Sequence, residues 1–270
     1  AIAPKMAGMV ALIRLVVIGL PGANAMVWQL LLVMSIVTMT LGNVAALWQR
    51  DVRRMMAYSS IAHSGYMLIG LAAYCAATTP QAFGGIAAVL FYLCVYSLAT
   101  VGFFAAMSFL GDGEESVRSV SDLAGLAKSQ PMIAGAVAVF MFSLAGLPPL
   151  AGFWGKLTLL TSSIDVALHH SDPNVGKWFL VLAVVGGINA AIAAAYYLRI
   201  VSVMFFQSND NPLRGNSGWQ AAAVGATASL VIVLGLWHGH IADPVREAED
   251  SLLHPGPTTQ GQVAPQGRPG

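Results

Sequence analysis

The chain of 270 residues is 57% hydrophobic and only 9% charged, whereas a soluble domain carries about 25% charged residues. Its formal net charge of +1 and the lack of a large basic cluster argue against a nucleic-acid partner. The composition therefore predicts a polytopic membrane protein.

Apolar segments of membrane-spanning length recur along the chain and alternate with short polar stretches. Their approximate bounds are residues 1–20, 28–47, 55–74, 83–109, 132–168, 177–207 and 219–237. We therefore expect an all-α transmembrane helical bundle of about seven spans within residues 1–240. The remainder, residues 241–270, is polar and rich in Pro, Gly and Gln towards its end, so we expect a disordered tail.

The fifth apolar segment contains two adjacent prolines, Pro148 and Pro149, within residues 143–156 (SLAGLPPLAGFWGK). Proline removes a backbone donor and forces the preceding residue out of the α region, so the helix must break there. A broken helix in lipid is tolerated only where its freed carbonyls are buried in protein or line a wet cavity. Lys156 follows the break, and this combination is typical of ion sites in transporters.

The loops between the segments divide the positive charges unevenly. The loops at residues 50–54, 118–128 and 209–214 fall on one side if the proline-broken segment crosses the membrane once. That side then holds Arg50, Arg53, Arg54, Arg118, Lys128 and Arg214, whereas the other holds Lys177, Arg246 and Arg268. The positive-inside rule places the first side in the cytoplasm and the carboxyl terminus on the outer face.

The two cysteines, Cys75 and Cys94, have no spacing typical of zinc or iron–sulfur ligands. The chain also lacks a P-loop and a GxGxxG motif. We therefore expect this chain to bind no cofactor and no metal of its own.

Two motifs resemble the signatures of the antiporter-like membrane subunits of NADH–quinone oxidoreductase, respiratory complex I. They are residues 53–66 (RRMMAYSSIAHSGY) and residues 143–156, and residues 196–201 (YYLRIV) most resemble one particular subunit of that set. The resemblance extends to about His238. It implies a fourteen-helix fold with two inverted five-helix repeats, of which this chain resembles the second half, beginning in the eighth helix. On this resemblance, we expect the sequence to be a fragment without the first half of the proton route.

The resemblance also implies roles for three residues. Lys156 corresponds to the lysine of the broken twelfth helix, Lys5 to the lysine of the eighth helix, and His63 to a position near the central polar axis. These three would relay protons, driven by quinone reduction elsewhere in the complex. NADH, flavin, iron–sulfur clusters and quinone would be bound by other subunits. The partners would be other membrane subunits and the lipid bilayer, and the location would be the inner (plasma) membrane.

Each candidate also has an ordinary structural interpretation. The Lys156 side chain could extend along the apolar surface to place its charge at the membrane interface. Lys5 would then be a solvated lysine at the chain end. His63 would only form a hydrogen bond between two helices. Asp165 lies nine residues beyond Lys156, about 13.5 Å along a helix and on the opposite face, so we expect no direct pairing. Lysine ordinarily keeps its proton to about pH 10.4, so a relay lysine needs surroundings that disfavour its charge by about 4–5 kcal/mol.

Two other functions fit the same patterns. One is a subunit of a multisubunit cation/proton antiporter, which shares the Pro-Pro and Tyr-Ser-Ser patterns. The other is a structural membrane subunit that conducts nothing. Co-purification of the chain with NADH–quinone oxidoreductase activity would distinguish the complex I function from the first alternative. Normal proton pumping after neutralisation of Lys156 would favour the second alternative.

Overall fold

The structure is a computed structural model that describes residues 2–19, 24–78, 84–111, 117–209, 218–237, 239, 244 and 247–249. Within these ranges the regular elements are helices, and the all-α class is confirmed. They are α1 (Ile2–Arg14), α2 (Asn24–Leu47), α3 (Val52–Ala76), α4 (Gly85–Leu110), α5 (Leu126–Ser129), α6 (Pro131–Ala145), α7 (Ala151–His169), α8 (Pro173–Phe206) and α9 (Gly218–Leu236). A π-helical turn, Leu15–Gly19, continues α1, and a 3₁₀ turn, Val120–Leu123, precedes α5.

Four described helices are long and apolar enough to cross a membrane: Met26–Leu47, Gly85–Leu110, Pro173–Phe206 and Gly218–Leu236. The apolar helix α6 is shorter, at 15 residues. Helices α3 and α7, with 25 and 19 residues, are long enough but more polar. The three candidate residues lie on α1, α3 and α7, outside these four helices. Helix α1 has only 13 residues, and α3 and α7 carry more polar side chains.

The loops that we predict on one side of the membrane do lie at one end of the bundle. The Val52 N–H donates to the Arg118 carbonyl at 2.8 Å, and the Val120 N–H donates to the Arg50 carbonyl at 2.9 Å. A Cβ on Gly125 would lie 3.2 Å from the Asn209 nitrogen, so the end of α8 reaches the same place. This arrangement agrees with a single crossing by the proline-broken segment; Arg214 lies outside the described residues.

Helix α3 packs closely against α2 because glycine stands at the points of contact. A Cβ on Gly65 would lie 2.5 Å from the Met39 nitrogen, and a Cβ on Gly42 would lie 2.6 Å from the Ala62 nitrogen. Small residues at an interface let two helix backbones approach each other in a membrane. The contact fixes the part of α3 that carries His63.

We expect Gly65→Val to destabilise the folded protein by about 1–3 kcal/mol or more, because the obstructing atoms belong to backbone that cannot rotate away. Gly187→Val in α8 is the matched control, since a Cβ there meets nothing within 4 Å. The measurement is SDS-induced unfolding of the purified full-length protein in mixed micelles. Equal stability of both variants would show that α2 and α3 are not in this close contact.

The predicted tail, residues 241–270, lies outside the described residues except for residues 244 and 247–249. Residues 247–249 are helical, and the buried Glu249 carboxylate accepts a hydrogen bond from the Ile86 N–H at 3.2 Å. These residues therefore pack against the start of α4. Disorder in the rest of the tail stays a prediction.

Candidate functional site

The helix break falls at the two prolines, as the sequence predicts. Helix α6 ends at Ala145, and Gly146 adopts a left-handed conformation with φ of 86°. The Leu147 N–H bonds back to the Phe142 carbonyl at 3.0 Å, which is a common way for a helix to satisfy its last carbonyls. Helix α7 begins at Ala151, so residues 146–150 form the interruption.

Lys156 lies in the second turn of α7 and turns back towards the break. Its side chain is buried, with 4% of the residue exposed. The Nζ atom donates to the carbonyls of Leu144 at 2.9 Å and Ala145 at 2.8 Å. These carbonyls lie at the end of α6, where the helix offers no further N–H. Lys156 thus binds the open end of the broken helix and does not snorkel to an interface.

Two glycines make room for this arrangement. A Cβ on Gly146 would lie 2.9 Å from Lys156 Cδ, and a Cβ on Gly152 would overlap the Ser143 carbonyl oxygen. The Gly152 N–H donates to Ser143 Oγ at 3.1 Å. The sequence around the prolines therefore brings the start of α7, with Lys156, against the end of α6.

His63 lies on α3 and is buried, with 2% exposed. Its Nδ1 atom is hydrogen-bonded to the Tyr92 hydroxyl at 2.5 Å, and its Nε2 atom to the Tyr197 hydroxyl at 2.9 Å. Tyr197 is also hydrogen-bonded to Ser59. A neutral imidazole has one donor and one acceptor nitrogen, and a tyrosine hydroxyl fits either role. His63 therefore links α4 and α8 through groups that can exchange protons.

Lys5 reaches the same region from α1. Its Nζ atom donates to the Ser60 carbonyl at 2.6 Å and to Ser60 Oγ at 3.2 Å. The same atom lies 4.0 Å from the centroid of the Tyr96 ring. The Lys5 ammonium group is thus held by α3 and α4, and the alternative of a solvated terminal lysine does not describe it.

Aromatic side chains connect the three predicted residues. The Tyr96 ring, which Lys5 faces, lies 4.6 Å from the His63 ring between centroids. On the other side, Tyr66 lies 6.3 Å from the His63 ring, and Lys156 Nζ lies 5.3 Å from the centroid of Tyr66. The structure therefore brings together Lys5, His63 and Lys156 in one continuous polar and aromatic line.

A small cavity of about 10 Å³ lies between His63 and the helix break. A volume of that size is at the lower limit for one water molecule. It is lined by His63, Tyr92, Val95, Tyr96, Ala99, Ser143, Leu144 and Gly152. The Leu144 carbonyl is a hydrogen-bond partner of Lys156, so the cavity lies between His63 and the lysine site.

Asp165 does not contact Lys156, as we expect from the spacing. Its carboxylate lies 2.9 Å from Nδ1 of His169 at the end of α7. Among the described residues, Lys156 Nζ contacts two backbone carbonyls and faces the Tyr66 ring, and no carboxylate forms an ion pair with it.

A second polar cluster, which the sequence analysis misses, joins α2 to α8. Asn43 Nδ2 donates to Asn189 Oδ1 at 3.0 Å, and the Tyr196 hydroxyl donates to Asn43 Oδ1 at 3.0 Å. Asn189 Nδ2 donates to Thr40 Oγ1 at 3.2 Å. The Tyr196 ring lies 4.5 Å from the ring of Tyr197, which binds His63. The sequence does contain a signal for this cluster, because polar side chains within apolar membrane segments usually form hydrogen bonds with one another.

We expect Asn43→Leu to destabilise the protein by about 1–3 kcal/mol, because it leaves buried partners on α8 without their hydrogen bonds. The double variant Asn43→Leu/Asn189→Leu should lose less than the sum of the two single variants, since the residues interact directly. The readout is again SDS-induced unfolding of the full-length protein. Gln29→Leu, at an exposed position of α2, is the control, and strict additivity of the Asn variants would contradict the pairing.

Together, the fold and the site define a multi-pass helical membrane protein built like a transporter, with a broken helix and a buried lysine on a polar line. A comparison with family models agrees with this class. The chain belongs to the NADH:quinone oxidoreductase/Mrp antiporter transmembrane family, whose model matches residues 1–186.

Curated relatives carry the name of the subunit that residues 196–201 most resemble. NADH-quinone oxidoreductase subunit N from Rhodospirillum rubrum is 39% identical over 255 residues, covering 93% of this chain and 48% of the relative. The subunit N of Salinibacter ruber is 39% identical, covering 89% of this chain and 47% of the relative. The family resemblance is confirmed, and the chain spans about half the length of the curated relatives it matches.

Solved structures show the same fold within multisubunit membrane complexes. A chain of respiratory complex I from Thermus thermophilus, with bound aureothin, is 33% identical with a TM-score of 0.65, covering 80% of this chain and 45% of that one. A chain of the Mrp complex from Dietzia is 21% identical with a TM-score of 0.75, covering 92% of this chain and 51% of that one. The second likeness supports the fold alone.

Proposed function

We propose that this chain is the proton-translocating part of a membrane subunit of an NADH–quinone oxidoreductase. The observation that carries the proposal is the buried Lys156, whose ammonium group binds the open end of α6 and faces a polar line towards His63 and Lys5. A charged lysine in a membrane segment is unfavourable, so a structural role alone would favour an apolar residue here. The family and the relatives at 38–40% identity support the complex.

In this proposal, the two lysines exchange protons through His63. The charges of Lys5 and Lys156 repel each other across a medium of low dielectric constant, so a proton arriving at one favours release from the other. His63 is bonded at both ring nitrogens to tyrosine hydroxyls, so it can take a proton on one side and release one on the other. The polar line then carries charge along the plane of the membrane.

The energy for this movement would come from quinone reduction in other subunits, which would also hold NADH, flavin and the iron–sulfur clusters. The multi-pass chain would lie in the plasma membrane. The end with residues 50–54 would face the cytoplasm, and the carboxyl terminus would face outwards. Other membrane subunits of the complex would cover parts of its apolar surface.

The test of this function is purification of the full-length subunit from native membranes with an affinity tag. The proposal expects NADH–quinone oxidoreductase activity to co-purify, and NADH to drive proton uptake by vesicles that contain the purified assembly. A cation/proton antiporter would instead exchange Na⁺ or K⁺ for protons without NADH. That result would replace the proposal with the second candidate, the antiporter function, which the family shared by NADH:quinone oxidoreductases and Mrp antiporters also includes.

A further inference from the structure

His63 has a hydrogen-bond partner at each ring nitrogen, and the groups behind those partners decide which nitrogen carries the proton. The Tyr92 hydroxyl lies at Nδ1 and the Tyr197 hydroxyl at Nε2. A neutral histidine has one N–H and one bare nitrogen, and the hydrogen bonds around the ring determine which is which. We propose that the buried pair Asn43–Asn189 holds the proton of neutral His63 on Nε2 and leaves Nδ1 bare, ready to accept a proton.

The two amide groups have a fixed orientation because each donates to a backbone carbonyl. Asn43 Nδ2 donates to the Asn189 carbonyl at 3.3 Å and to Asn189 Oδ1 at 3.0 Å. Asn189 Nδ2 donates to the Val185 carbonyl at 3.0 Å. A carbonyl oxygen only accepts, so neither amide can exchange its nitrogen and oxygen without placing two acceptors together. Asn43 Oδ1 is therefore the atom that faces the Tyr196 hydroxyl at 3.0 Å, and Tyr196 donates to it.

The donation by Tyr196 sets the direction of the hydrogen bonds beyond it. A hydroxyl group has one proton, and that of Tyr196 is used by Asn43. The Tyr196 oxygen therefore only accepts from Tyr197 and Ser59, with which it forms hydrogen bonds. Ser59 and Tyr197 are also bonded to each other, so their own two protons already serve three contacts. Because no proton is left for His63, the Tyr197 oxygen accepts from Nε2.

The partner of the other ring nitrogen leads independently to the same tautomer. Tyr92 is buried, with 2% exposed, and within the described part of the chain its hydroxyl is hydrogen-bonded to His63 Nδ1 alone. If Nδ1 carried the proton, the Tyr92 oxygen would accept it and the Tyr92 O–H would lack a protein acceptor. A buried donor without a partner is unfavourable. Tyr92 therefore donates to Nδ1, and Nδ1 is bare.

The bare nitrogen faces the Lys156 side of the polar line. Tyr92 lines the small cavity beside the helix break, and a Cβ on Gly155 would lie 2.7 Å from the Tyr92 ring. In the proposed proton relay, on which only this consequence rests, an Nδ1–H bond forms with a proton from that side. The Nε2–H bond then breaks, and its proton passes to Tyr197. Asparagine has no titratable proton, so the asparagine pair acts by positioning the hydroxyl groups.

The test is ¹⁵N NMR of the full-length protein in lipid bilayers, with its histidine rings labelled. The spectrum is recorded at about pH 9, where an ordinary histidine is neutral. The His63 signals are identified by their absence from the spectrum of His63→Gln. A ring nitrogen with a proton and one without have different chemical shifts, so the tautomer is measured without turnover. We expect a protonated Nε2 and a bare Nδ1.

Two tyrosine variants change the number of available protons while nearly keeping the side-chain volume. Tyr196→Phe removes the hydroxyl that binds the asparagine pair, so Tyr197 becomes free to donate to His63. Tyr92→Phe removes the donor at Nδ1. We expect each to lower the ratio of the Nε2-protonated to the Nδ1-protonated ring about fivefold, the effect of one hydrogen bond. Tyr58→Phe, at an exposed position of α3, is the matched control and should leave this ratio unchanged.

The double variant Tyr92→Phe/Tyr196→Phe should show both tautomers, and Asn43→Leu should change the ratio as Tyr196→Phe does. A protonated Nδ1 in the unaltered protein would overturn the inference. An unchanged tautomer in the double variant would also contradict it, because these groups would then not set the position of the proton. The spectrum is recorded without NADH, so a failure of the proposed pumping function would leave this result unaffected.

Discussion

Lys156→Ala is expected to lower NADH–quinone turnover of the assembled complex by at least about tenfold, equivalent to about 1.4 kcal/mol of barrier. Alanine removes both the titrating group and the donor that satisfies the carbonyls of Leu144 and Ala145. If electron transfer and proton transfer are coupled, then a chain that cannot pass protons also slows quinone reduction. The measurement is NADH oxidation by membranes in which assembly has been confirmed by native gel electrophoresis.

The matched control for this effect is Lys177→Ala. Lys177 is an exposed lysine near the start of α8 and has no place on the polar line. Turnover should be unchanged in the control. Full activity of an assembled Lys156→Ala complex would leave Lys156 as a residue that only stabilises the helix break.

His63→Leu is expected to lower proton pumping by at least about tenfold, since a positioned proton-transferring side chain typically contributes about 10²–10⁴-fold. Leucine has a similar volume but offers neither nitrogen to Tyr92 and Tyr197. The line from Lys5 to Lys156 is then interrupted while both lysines remain. Pumping is measured as acidification of inverted membrane vesicles after addition of NADH.

His169→Leu is the control for this second change, because His169 is exposed and, within the described part of the chain, pairs with the carboxylate and the carbonyl of Asp165 at the end of α7. His63→Gln adds a further comparison, since glutamine keeps hydrogen bonds but does not titrate. The relay requires both His63 variants to fail. Normal pumping by His63→Gln would mean that His63 only holds the tyrosines in place.

The helix break and its lysine could be predicted because their cause is local. Two prolines in an apolar segment exclude a continuous helix, and the charge of Lys156 in that segment needs a partner. The sequence could not show which partner, because the carbonyls of Leu144 and Ala145 become available only after α7 folds back on α6. The spacing to Asp165 correctly excluded the one nearby carboxylate.

The links between the lysines depend on contacts between distant parts of the chain. Tyr197 is 134 positions from its partner His63, and Asn189 is 146 positions from Asn43. Neither pairing has a local sequence pattern, and reasoning about single apolar segments therefore overlooked the asparagines. A search for every buried amide in an apolar segment would have found both residues, although not their pairing.

The most direct test of the proton relay is to measure, side by side, the rate of NADH oxidation and the rate of proton pumping by the complex with Lys156→Arg. Arginine keeps the positive charge and offers donors to the same carbonyls, but it does not release its proton at physiological pH. The relay predicts that both turnover and pumping are lost in this variant, as in Lys156→Ala, while the complex still assembles. Unaltered proton pumping by Lys156→Arg would contradict the relay, because the charge alone would then be sufficient.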